Sequence, residues 1–283
     1  MGSGTGKLSR RGLMKIGMML GFEDSIKTIT TIAQEAERSG IYSLYTVDAG
    51  RSATITAAAV INATHRAKVG TYIVNAFARE PWMTGLEARD LNEISGGRFV
   101  LGVGTGNLHF NDLYMGIDST KAKAKMRDFM QIVRQVVAGR AAERVRYQGD
   151  VHRIRWRATW NPTVPTPPVF MAASGPNMVR LAGEVADGVG IGIMSSVEFV
   201  RDIVRRMRGR VRNKQAEIQM LWYFQLPLQL ALTRMRTRLD RRVNEPSANS
   251  ITRYLTLITI PSLGNWALLS SRTKPLNWCP LAD

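Results

Sequence analysis

NEISGGRFVLGVGTGN, residues Asn92 to Asn107, joins a helix end to a buried strand and then to a second glycine cluster. Gly96 and Gly97 can take the left-handed conformation that stops a helix. Phe99 to Val103 is a short apolar run, the pattern of a parallel strand covered on both faces. Beyond it, Gly104-Thr105-Gly106 presents two residues with no Cβ to keep backbone N–H groups away from a bound phosphate or flat ring. A plain tight turn is equally glycine-rich. The stretch therefore identifies a strand end, where α/β proteins keep their chemistry, and leaves its use open.

The same grammar recurs on both sides. Leu13 to Leu20 reads as a strand, and Asp24 or Ser25 then caps a helix whose apolar positions Ile26, Ile29, Ile32, Ala33 and Ala36 follow helical spacing up to Gly40. Tyr42 to Val47 is a second strand, and Ser52 caps an alanine-rich helix reaching Asn62. Val69 to Val74 is a third strand, with a helix through Leu91 after it. Past Asn107 comes an irregular passage, then a helix over about Lys121 to Ala138 and a hairpin over Val145 to Ile154 turning at Gly149-Asp150. Strands at Val169 to Ala172 and Gly188 to Ile193 complete six strand units. Parallel strands joined by helical crossovers account for this alternation, and a (β/α)8 barrel accounts for its length. The doubly wound alternative lacks a GxGxxG after the first strand. A barrel active site at the C-terminal strand ends would gather Asp48, Asn75, Gly104, Gly106, Ser174 and Gly175.

Composition narrows the partners. The chain has 283 residues, one cysteine (Cys279) and three histidines, which excludes an intrachain disulfide framework, argues against a structural zinc site and fits a reducing cytoplasm. Lys15 interrupts the apolar run after Arg10-Arg11, so no signal peptide is read, and no stretch has the length of a membrane helix. The net charge is +17, and Arg201 to Arg253 holds 13 Lys and Arg against 4 Asp and Glu. These charges are scattered and no nucleic-acid-binding signature accompanies them, so a solvated face or a site for an acidic ligand is expected rather than nucleic acid.

Four ordered segments, TVDAGRSA (Thr46 to Ala53), GTYIVNAFAREP (Gly70 to Pro81), LNEISGGRFVLGVGTGN (Leu91 to Asn107) and AASGPNMVRLAGEVADGVGIGIMS (Ala172 to Ser195), resemble the luciferase-like flavin and deazaflavin oxidoreductases. Within them the resemblance is to the methylenetetrahydromethanopterin reductase-like group, which uses coenzyme F420. It implies a TIM barrel and hydride transfer between F420 and a small organic substrate. An FMN-dependent monooxygenase on the same scaffold is the alternative. It further implies a non-proline cis peptide at Tyr72-Ile73 beneath the cofactor ring, a contact from Asn75, and a phosphate loop at Ser174, Gly175 and Pro176 ahead of a helix from Asn177. Asp48 matches an acidic residue near the reacting ring edge, and His109 is a second candidate proton donor. Each residue also has an ordinary use: Asp48 as a helix cap, Asn75 in a turn, Ser174 as an N-cap, His109 as an exposed histidine. Arg51 and Arg79 are open between cofactor carboxylates and structural ion pairs. A homodimer stays open.

Departures accompany the resemblance. Ala49 and Asn107 stand where related deazaflavin dehydrogenases carry histidine and glutamate, which argues against a sugar-phosphate substrate. The expected organisation is a flexible segment over 1–12, a barrel over 13–218 and an atypical tail over 219–283. In that tail no seventh or eighth strand unit is evident. LWYFQLPLQLAL, from Leu221, reads as a strand or short helix broken at Pro227, and ITRYLTL at Ile251 to Leu257 resembles a family segment in isolation. A reading-frame change and lineage divergence both explain it, and the first predicts a non-catalytic remnant with open sheet edges.

Overall fold

The computed structural model describes residues 15–191, 198, 201–203, 219–224 and 256–260; the expected flexible segment 1–12 lies outside them. Strand β1 (Lys15–Met19) leads to α1 (Ile26–Arg38), where the Ser25 hydroxyl accepts from Thr28 N–H and Ile29, Ala33 and Ala36 form the buried stripe. After β2 (Ser43–Thr46), α2 (Ala53–Ala63) is capped by Ser52 through Ile55 N–H. Next come β3 (Lys68–Thr71), the short β4 (Val74–Asn75), α3 (Pro81–Ile94) and β5 (Phe99–Gly104).

The passage expected to be irregular contains α4 (Leu108–Met115), with Asn107 as N-cap and Gly116 as a left-handed C-cap. Its apolar side chains Leu108, Phe110, Leu113 and Tyr114 are exposed, so no buried stripe marked it in the sequence. Then follow α5 (Ala122–Ala138), the ribbon β6 (Arg144–Gln148) and β7 (Arg153–Arg157), β8 (Val169–Ala172), α6 (Pro176–Val185) and β9 (Gly188–Ile191).

The tail supplies two strands: one settles Leu221 to Phe224, open between strand and short helix, as a strand, and the other was not expected. β10 (Gln219–Phe224) runs parallel to β9, and β11 (Thr256–Ile260) pairs antiparallel with both β10 and β1. With β3 also pairing with β5, the order β3-β2-β1-β11-β10-β9-β8-β5 returns to its start. The protein is therefore an α/β barrel whose C-terminal strands are atypical, the last being reversed. Edges expected at β1 and β9 are paired.

Packing divides into two layers. Between sheet and helices lies the main core, including Ile29, Leu44, Val69, Phe99, Leu101, Phe129, Met171 and Leu181. Fully burying one such side chain is worth about 1.5–3 kcal/mol. Inside the ring sits a smaller cluster of Tyr45, Val100 and Phe170, with Met19 and Tyr72 packed against it. Interior glycines make room: a Cβ on Gly190 would come within 2.5 Å of the Tyr72 ring, and one on Gly70 within 2.9 Å of Tyr45.

Candidate active site at the carboxyl ends of the strands

Asp48 follows β2 and is the hub of one part of the rim. Its Oδ1 accepts from Ala53 N–H at 2.8 Å, which fastens the first turn of α2, and its Oδ2 accepts from Asn75 N–H at 3.0 Å, which fastens β4. Arg79 closes a two-pronged pair on the same carboxylate, Nε to Oδ2 at 2.6 Å and Nη2 to Oδ1 at 2.8 Å, and reaches Glu87 through Nη1 at 2.9 Å. Burial opposes the charged form of Asp48, but Arg79 and the two backbone donors outweigh it and hold the carboxyl below the ordinary aspartate value. Asp48 is thus a carboxylate with both oxygens engaged. The expected proton-donor role conflicts with that state, because a donor must hold a proton.

The peptide between Tyr72 and Ile73 is cis, at the expected position. On one side of it Tyr72 N–H donates to Thr46 O at 2.6 Å; on the other, Asp48 N–H donates to Ile73 O at 3.0 Å. The Tyr72 hydroxyl donates to Ile191 O at 2.8 Å across the barrel, tying the β3 end to β9. Asn75 is buried and committed: Nδ2 donates to Asn111 Oδ1 at 2.8 Å and Oδ1 accepts from Phe77 N–H at 3.0 Å. Asn111, fully buried on α4, donates in turn to Thr105 O at 2.8 Å. The sequence reading missed it; the only signal was an amide among the apolar residues of LHFNDLYM.

Both glycines of the opening motif have internal reasons. Gly106 has φ +64°, and a Cβ there would lie 2.7 Å from Asn75 Nδ2. A Cβ on Gly104 would meet Ile73 Cγ1 at 3.1 Å and the Ala172 Cβ at 3.3 Å. These approaches bring the ends of β3, β5 and β8 together and leave Ile73 as an apolar ledge between them.

The β8 end differs in character. Ala173 N–H donates to Gly190 O at 2.9 Å, after which Ser174 is exposed. Gly175, not Ser174, is the N-cap of α6; among the described residues no side chain caps that helix, and Pro176 occupies its first turn. A Cβ built on Gly175 meets nothing within 4 Å. Among the described residues, the opening N–H groups of α6 thus have no side-chain partner and nothing crowds Gly175, an arrangement suited to an anion. His109 is exposed on α4 and is not joined to the Asp48 cluster. Arg51 Nε donates to Asp24 O at 2.6 Å, so Arg51 holds a loop.

At the opposite end, the amino end of β8, a cavity of about 330 Å³ is lined by residues that include Arg134, Thr166, Pro167 and Asp187. Among the described residues no group of three or more His, Cys, Asp or Glu is placed to hold a metal ion, and no helix is long and apolar enough to cross a membrane.

An α/β ring with its polar groups gathered at the carboxyl ends of the parallel strands is the arrangement of a TIM-barrel enzyme. The chain belongs to the luciferase-like monooxygenase family, which it matches over residues 11–243. It is 31% identical over 179 residues to the 5,10-methylenetetrahydromethanopterin reductase of Archaeoglobus fulgidus, covering 62% of this chain and 48% of that protein. Among solved structures, the coenzyme F420 dependent tetrahydromethanopterin reductase from Methanopyrus kandleri superposes with TM-score 0.62 at 23% identity, covering 75% of this chain and 66% of that one. Monooxygenase RslO1 from Streptomyces bottropensis gives 0.61 at 19% identity, covering 83% and 79%. The chain spans about half the length of the curated relatives it matches.

Proposed function

We propose that this protein is an oxidoreductase that transfers a hydride between coenzyme F420 and a small organic substrate. The observation that carries the reading is the pairing, on one barrel rim, of the Ile73 ledge with the uncapped, unobstructed start of α6 at Gly175. A ring cofactor with a phosphate would use both features, and relatives named as F420-dependent, among them an oxidoreductase of Mycobacterium tuberculosis and a glucose-6-phosphate dehydrogenase of Microbacterium testaceum, support F420 as that cofactor. The residues fit the group: Tyr72, Ile73, Gly104 and Ala172 would carry the ring, while Ser174, Gly175 and the first N–H groups of α6 would hold the phosphate.

When bound, the cofactor supplies the hydride chemistry, and the protein supplies position. Asp48 acts here as a positioning residue. Through Ala53, Asn75 and Arg79 it fixes the heights of the β2 and β4 ends, so the Ile73 ledge is rigid before a ligand arrives. Asn75 does the same one step out, through Asn111 and Thr105. With Asp48 committed as a paired carboxylate, His109 on α4 is the remaining proton-donor candidate. The tail strands β10 and β11 complete the ring, which favours a working barrel over the remnant reading.

Titration of the purified protein with F420 and with FMN, followed by cofactor fluorescence, tests the proposal. Tighter binding of F420 is expected. Tighter binding of FMN would move the assignment to the monooxygenase reading, and binding of neither would restore the remnant reading.

A further inference from the structure

The strongest charge pattern among the described residues is on the β6–β7 ribbon, which is fastened to α5, and its use is independent of the proposed redox activity. Between Arg140 and Arg157 the sequence has six arginines, no lysine and two acids. Five of the arginines, Arg144, Arg146, Arg153, Arg155 and Arg157, occupy alternate positions of the two strands and are exposed. The register sets Arg144 opposite Arg157, Arg146 opposite Arg155 and Gln148 opposite Arg153. The intervening residues face the other way: Val145 is buried, and Tyr147, Ile154 and Trp156 are partly covered. The Tyr147 hydroxyl donates to Asp128 on α5 at 2.8 Å, and Asp128 also accepts from Val151 and His152 N–H, so the ribbon is fastened by its back face.

Like charges directly opposite each other on a ladder are destabilising, and this face has two such pairs. Among the described residues no acidic side chain pairs with any of the five. Glu143, at the base, accepts from Arg140 N–H. The face is therefore a cost to the free protein that an external anion offsets. Its charges repeat at about 6.7 Å along each strand and about 5 Å across, a grid too extended for one small anion. A second copy of this chain is a poor occupant, since each carries +17. An anionic membrane would want apolar side chains among the cations, and this face has none. Single-stranded nucleic acid would want stacking aromatics, and the ribbon's Tyr147 and Trp156 are on the back. Guanidinium groups pair with phosphate oxygens through two parallel bonds, and a two-stranded ribbon fits the major groove of a duplex.

We propose that the arginine face of the β6–β7 ribbon is a binding surface for duplex nucleic acid, gripped through its phosphates without regard to sequence. Fluorescence anisotropy of the full chain with a labelled mixed-sequence DNA duplex, repeated from about 50 to 200 mM salt, tests it. The native chain is expected to bind with an affinity that falls linearly on a log–log plot against salt. Arg146→Gln/Arg155→Gln should weaken binding at least about tenfold at the lowest salt and reduce the slope by about 1 to 2. Its melting temperature should hold or rise, because a repulsive pair has gone; Arg144→Gln/Arg157→Gln is the second, independent pair and should behave alike. Lys27→Gln/Lys123→Gln removes the same charge from exposed sites elsewhere and should change little. An equal loss in that control would assign the effect to overall charge and overturn the proposal. So would undiminished binding by both arginine pairs, or capture by phosphatidylserine vesicles without binding to the duplex.

Discussion

The two halves of the barrel rim at the carboxyl ends of the strands are built on opposite plans. At the ends of β2, β4 and β5, Asp48, Arg79, Asn75 and Asn111 spend their polar atoms on one another and on neighbouring backbone. At the end of β8, Ser174 is exposed and Gly175 faces open space. The first half has its polar atoms paired; in the second, among the described residues, the opening N–H groups of α6 have no side-chain partner, which is why binding is proposed there and positioning at the first. Residue type does not separate the two, because aspartate and asparagine serve equally well as reacting groups and as fasteners. What separates them is whether the fold has already supplied partners.

The largest effect tests the frame under both halves. Ile258 on β11 lies opposite Gly17 on β1 and Tyr223 on β10, so proline there takes a backbone donor from a strand with neighbours on each side. Ile258→Pro should abolish the cooperative thermal transition followed by circular dichroism. A native-like melt would mean the ring does not depend on β11.

Asp48→Asn comes next. It removes the two-pronged carboxylate from a mostly buried pair, leaving the Arg79 guanidinium only Glu87 for its charge, and should cost about 3 kcal/mol in urea unfolding. Because the folded pKa of Asp48 is lowered, its stabilisation is present above the unfolded aspartate value and is lost as pH falls through the folded one. The variant should therefore show a shallower acid decline of stability below about pH 4. An unchanged acid limb together with a loss confined to turnover would return Asp48 to a chemical role.

Gly106→Ala sharpens the contrast at one residue. A left-handed φ and a contact with Asn75 should together cost about 2 kcal/mol of folding stability. Gly175→Val, in an extended conformation with open space, should leave the melt unchanged and weaken F420 binding by about 2 kcal/mol, since a branched side chain would cover the α6 donors. If Gly175→Val leaves cofactor affinity intact, the β8 end is not the phosphate site.

Much of the fold was legible because its signals are local. Ser25, one of the two caps expected for α1, and Ser52 cap their helices, Gly96 and Gly97 take positive φ, and the apolar run from Phe99 is a fully buried strand. The cis peptide at Tyr72-Ile73 was legible only through the family resemblance, since nothing in those two residues specifies it. The role of Asp48 was not legible, because Arg79 is 31 residues away and only the barrel brings the two together. Asn111 was hidden for the same reason. α4 escaped notice because it turns its apolar residues outward, and the direction of β11 escaped because alternation specifies a face and not a heading.

That heading has a further consequence. β10 ends where the other parallel strands end, and β11, running the other way, begins there. The chain leaves the rim after Phe224 and re-enters the sheet at Thr256 from the same side. Parallel neighbours, by contrast, need a connection that returns to the far end of the barrel. The reversed last strand thus brings two strand ends, Phe224 and Thr256, to the same rim as Asp48 and Gly175, where a ring of parallel strands would bring one.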